Sequence, residues 1–124
     1  MWSFDNKLVK QADVDGDYPL CIKLIDSYIV VGNGRGDIIF FDHELRSQKV
    51  LKVAKDAISD ILITEEYLIV ASHDGSITVL LRNDLSIHKQ IDIQYPILQI
   101  CSYQNSYYVA GSFSWKISAD FPQI

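Results

Sequence analysis

His73-Asp74 sets a base beside a carboxylate that could orient it, the arrangement by which a nucleophile is activated. Neighbouring residues of a strand point to opposite faces, and no nucleophile stands at a spacing the pair could serve, so the two read as polar hairpin residues. Asp13-Val14-Asp15-Gly16-Asp17 opens like a calcium loop. Such a loop needs Gly at its sixth position and a carboxylate at its twelfth, and Tyr18 and Leu24 stand there instead. Gly32-Asn33-Gly34-Arg35-Gly36 has the backbone freedom of a phosphate cradle, yet it joins two strand-like runs, and no helix N-terminus follows to point at an anion. Arg35-Gly36-Asp37, an adhesion tripeptide by its letters, reads as the exposed tip of the same hairpin. None of these strings implies a metal, a cofactor or a catalytic set.

The elements that carry these residues repeat about every 39 positions. Ile22, Ile29, Val31, Gly36 and Ile38 are echoed by Ile61, Leu68, Val70, Gly75 and Ile77, and again by Ile100, Tyr107, Val109, Ser114 and Ile117. A period of this size marks a supersecondary unit that buries its apolar faces only by stacking on its neighbours. Within each unit, short runs rich in Val, Ile, Leu, Phe and Tyr are bounded by Gly, Asp, Asn or Ser, which predicts strands. First strands are expected at Leu20 to Ile25, Ser59 to Ile63 and Leu98 to Ser102, and second strands at Tyr28 to Gly32, Tyr67 to Ser72 and Tyr107 to Gly111. Hairpin turns at Gly34-Arg35-Gly36 and His73-Asp74-Gly75 lead to third strands at Ile38 to Phe41 and Ile77 to Leu81, with a third at Lys116 to Phe121. Fourth strands follow at Lys49 to Val53 and His88 to Ile93.

The N-terminal segment continues the pattern. Trp2-Ser3-Phe4-Asp5 matches Ile39-Phe40-Phe41-Asp42, and Lys10-Gln11-Ala12-Asp13-Val14 matches Lys89-Gln90-Ile91-Asp92-Ile93. Residues 1–17 are therefore expected to form the third and fourth strands of a split unit, followed by units at 18–55 and 56–94 and a partial one at 95–124.

Ala71-Ser72-His73-Asp74-Gly75, with Phe4-Asp5 and Phe41-Asp42 where Trp-Asp would close a third strand, resembles the blade of a WD-repeat β-propeller. No Gly-His pair precedes a first strand, so the hydrogen-bonded His, Asp, Ser and Trp set of well-formed blades is not assembled. The resemblance implies an all-β fold, a partial β-propeller of about three four-stranded antiparallel blades, incomplete as a single chain. It implies a non-catalytic protein–protein interaction scaffold within a multiprotein complex. Two rivals remain: a substrate-recognition adaptor of a ubiquitin ligase, which would need Arg35, Arg46 and Arg82 to converge on a phosphate, and a propeller enzyme using Asp60, the sole acidic candidate for the central channel.

Composition fits an intracellular module of cytoplasm or nucleus. A 48% hydrophobic content supplies a core, and no apolar run approaches the roughly 18 residues of a membrane span. The first residues lack the basic start and apolar centre of a signal peptide. A net charge of −5 with three arginines argues against direct nucleic-acid binding. Cys21 and Cys101 fall in first strands of non-neighbouring units, so both are expected to be free, buried thiols.

Loop tips carrying Tyr18, Arg35, Tyr95, Phe113 and Trp115 are the candidate partner-binding residues, of types that carry interface energy. Tyr28, Tyr67 and Tyr107 are expected to recur as packing residues. About three blades leave unpaired strand edges, where a closed propeller has about four to eight blades, so another protein chain is expected to complete or cap the stack. Self-completion is the other expectation: a homodimeric ring in which Trp2 to Val14 of one copy completes Ile97 to Gly111 of another, leaving Ser114 to Ile124 surplus.

Overall fold

The computed structural model describes residues 18–103 and 106–111, and the backbone of 117–119. The first sheet comprises β1 (Pro19–Ile25), β2 (Tyr28–Asn33), β3 (Asp37–Phe41) and β4 (Ser47–Lys52). The second comprises β5 (Ile58–Ile63), β6 (Tyr67–Ser72), β7 (Ser76–Leu81) and β8 (Ile87–Asp92). The third holds β9 (Ile97–Tyr103), β10 (Ser106–Gly111) and β11 (Ile117–Ala119). Every strand pairs antiparallel with its neighbour in the chain, and the order in each sheet is the order of the sequence. Observed strand ends differ from the expected ones by a residue or two. The expected strands within residues 1–17 lie outside the described residues.

Stacking explains the long apolar runs. The middle strands β2, β3, β6 and β7 are buried on both faces, and for β6 and β7 a sheet lies on each side, whereas β4 and β8 at the outer rim are largely exposed. One core lies between the first and second sheets, where Ile25, Val30, Ile38 and Phe40 meet Ile58, Ile61, Leu68 and Val70. A second lies between the second and third, built from Ile69, Ala71, Ile77, Val79, Ile97, Ile100 and Val109. Each fully buried Ile, Leu or Val contributes about 1.5–3 kcal/mol over leaving it in water.

Tyr107 pairs with Ser102 in the place that Leu68 takes opposite Ile63, as the repeat implies, and like Tyr67 it packs against the core between the second and third sheets. The cysteines differ from expectation. Cys101 is exposed, because its side of β9 faces away from the second sheet; Cys21 is partly buried, and its thiol is pushed up chiefly by that burial. Both are free. The turns after β3 and β7 place Leu45 and Leu85 at positive φ, 59° and 61°, a conformation that favours Gly. Each leucine packs its side chain against a buried cluster, which offsets the strain. Among the described residues no helix is long and apolar enough to cross a membrane.

Candidate functional site

Antiparallel order sends the second-to-third-strand hairpins of the first two sheets, and the connections into the next sheet, to one end of the stack. Tyr18 and Arg35 meet there. The Gly34 N–H donates to the Tyr18 carbonyl at 3.1 Å, and Lys52 Nζ donates to the Arg35 carbonyl at 2.6 Å. Both side chains are exposed. Tyr95 stands at the same end between β8 and β9 but is built inward: a methyl at Gly111 would lie 2.6 Å from its ring. Phe113 and Trp115 lie outside the described residues.

Polar side chains shape this end by holding backbone. Asn33 Oδ1 accepts from the N–H groups of Arg35 at 3.0 Å and Asp37 at 2.9 Å, closing the first hairpin. Ser72 takes the same place in the second sheet, and its hydroxyl donates to the Ala57 carbonyl at 3.0 Å. Gly36 has φ 88°, and a Cβ there would collide with the Ala54 carbonyl, so that turn requires glycine. Asp74 accepts from Ser76 N–H at 2.7 Å and Lys55 N–H at 2.9 Å, tying the second hairpin to the connection from the first sheet. Burial works to raise its pKa, but the hydrogen bonds from Ser76, Lys55 and Ser72 together hold the carboxyl below its usual range. A groove of about 310 Å³ runs beside it, lined by residues that include Lys55, Asp74, Gln90 and Asp92.

These bonds decide what the chemistry-bearing residues do. The His73-Asp74 pair has its carboxylate engaged by two backbone amides and its histidine exposed. Asp60 is engaged in the same manner: Oδ1 accepts from Ile61 N–H at 2.9 Å and Oδ2 from Ile100 N–H at 3.0 Å, bridging the second sheet to the third. Among the described residues no three His, Cys, Asp or Glu side chains gather as metal ligands.

Arg46 and Arg82 lie at the opposite end from Arg35. Arg82 pairs with Asp26 at 2.9 Å and donates to the Thr64 carbonyl at 2.8 Å, joining the first two sheets. Arg46 pairs with Asp42 at 3.0 Å, whose carboxyl is held low first of all by the Arg46 backbone N–H. The three guanidinium groups do not converge.

Sequence reasoning missed a further surface. Leu20, Ile22 and Leu24 on β1 are exposed. Their alternation in the sequence was visible, but it is also what a buried strand shows.

No model of a protein family matches the chain, and no curated protein matches it in sequence. Solved structures do. The structure of U3-55K is similar with a TM-score of 0.81 at 15% identity, over 95% of this chain and 40% of that one. The β-propeller domain of Myceliophteria thermophila Cps50 (Swd1) gives 0.69 at 12% identity, over 80% of this chain and 34% of that one. The RRP9 WD40 repeats give 0.65 at 16% identity, over 75% and 30%. The chain thus spans roughly a third of the length of these structures. Its fold is all-β, with four-stranded antiparallel sheets stacked as blades of a partial WD-repeat-like β-propeller.

Proposed function

We propose that the chain is a non-catalytic protein–protein interaction scaffold, a stretch of propeller acting as a subunit of an intracellular multiprotein complex. Its blades run over 18–55 and 56–94, with part of a further blade after them. Further protein covers the exposed faces at the ends of the stack, and Tyr18 and Arg35 offer a partner an exposed aromatic and a guanidinium at one end of the first sheet. One observation carries the reading: the carboxylates best placed for chemistry, Asp60 and Asp74, each accept two backbone N–H groups, so they serve the sheets. The phosphate-reading adaptor has less support, since Arg46 and Arg82 are each paired with a carboxylate and stand away from Arg35.

Affinity purification of the tagged chain from cells, with quantitative mass spectrometry, tests the scaffold. At least one protein is expected in stoichiometric amount, and Tyr18→Ala with Arg35→Ala is expected to deplete it several-fold. Absence of any stoichiometric protein overturns the reading.

A further inference from the structure

Ile22, Ile61 and Ile100 occupy one position of the repeat, opposite Val31, Val70 and Val109 in the adjoining strand. Ile61 is 1% exposed and Ile100 6%, yet Ile22 is 65% exposed. The difference lies in the neighbour. Ile61 shares a buried cluster with Ile25 and Val30 of the preceding sheet, and Ile100 shares one with Ile69 and Ala71 of its own predecessor. On β1 the same side leaves Ile22 and Leu24 exposed, with Leu20 exposed beside them.

The opposite side of the third sheet is the counterpart of the surfaces that receive Ile61 and Ile100. Tyr108 stands where Val30 and Ile69 stand, and Ala110 where Gly32 and Ala71 stand. That last position is small for a reason: a Cβ at Gly32 would strike the Ile58 side chain of the following sheet. Ala110 keeps the small side chain and is exposed, as is Cys101 beside it. Neither outer face carries a charged side chain among these residues, so nothing opposes their meeting. The chain already forms this contact twice within itself.

We infer that the exposed face of β1 docks on the outer face of β9 and β10 of a second copy of the chain, head to tail. Ile22 of one copy then joins Tyr108 of the other in one apolar seam, as Ile100 joins Ile69, and Ala110 leaves room beside them for the start of β1 as Gly32 does for Ile58. Covering Ile22, Leu24 and Leu20 removes a large apolar stripe from water, the dominant driving force for such contacts. The inference rests on the scaffold reading only in that both require the end faces to be covered by protein; it names the protein at one of them.

Complementation measured by light scattering after gel filtration tests it, using the full chain at high micromolar concentration. The wild type is expected at a mass of at least twice 14.1 kDa. Ile22→Asp and Ala110→Arg, each at an exposed position, are expected to run as monomers that keep a cooperative thermal transition, with midpoints that do not depend on protein concentration. An equimolar mixture of the two variants is expected to restore a dimer, because one retains the intact outer face of β9 and β10 and the other the intact β1. A monomeric wild type, variants that still associate, or a mixture that stays monomeric each overturns the contact. A monomeric wild type that still copurifies with a stoichiometric protein leaves the scaffold standing; self-association with no such protein does the reverse.

Discussion

Between the first and second sheets the contact is made by Ile25, Val30, Ile58 and Ile61, and Gly32 leaves no room there for a methyl; between the second and third it is made by Ile69, Ile97 and Ile100, with Ala71 in the place of Gly32. The borders differ more than the centres. The first seam is tied at its ends by the Asp74 bond to Lys55 and the Arg82 pair with Asp26, and Thr78 donates to the Val53 carbonyl across it at 3.0 Å. The second is tied at its inner edge by Asp60 and closed by Tyr67 and Tyr107. A shared aliphatic frame therefore sets the stacking, while each seam acquires its own polar latch.

The largest expected effect breaks the frame. Ile61→Ala should cost about 3 kcal/mol in chemical denaturation, whereas Ile22→Ala, at the same repeat position, should stay within about 0.5 kcal/mol in the monomer. Equal losses would mean that the frame does not depend on a facing sheet. Exchanging the small residues sharpens the contrast between seams: Gly32→Ala should destabilise by about 2 kcal/mol through overpacking on Ile58, while Ala71→Gly should lose about 1 kcal/mol. A neutral Gly32→Ala would show that the first seam gives way more easily than its geometry implies.

The latches come next. Asp74→Asn should weaken the first seam by about 1 kcal/mol at neutral pH. Because the folded-state pKa of Asp74 is lowered, its contribution is present above the unfolded value near 4 and fades as pH falls through the folded value, so wild type and variant should converge in acid unfolding. A gap between them that persists at low pH would take the charge out of the latch. The smallest effect belongs to the partly exposed ion pair: Arg82→Gln should cost about 0.2–1 kcal/mol and less in high salt.

The repeat near 39 residues made the strands, the hairpins and the stacking legible, because Ile, Val and Gly at fixed intervals report a local pattern. What Asp60 and Asp74 do was not legible. Their partners are backbone N–H groups 40 and 19 residues away, and a backbone amide has no signature in the sequence. Ile22 and Ile61 are the same letter in the same context, so only the presence of a facing sheet separates exposed from buried. Of the partner-binding candidates, Tyr18 and Arg35 are exposed at the same end of the first sheet, and Tyr95 lays its ring against Gly111 of β10.

The strict sequential order of the strands also has a kinetic consequence. No strand waits for a distant stretch of chain, since each pairs with the next in sequence and each seam joins consecutive sheets. Nearest-neighbour pairing of this kind favours nucleation within one sheet followed by one-dimensional growth. The second sheet, flanked on both sides, should then be the last to open. In hydrogen exchange the amides of β6 and β7 should outlast those of β1 and β9, giving a gradient of protection that runs from the middle of the stack outward.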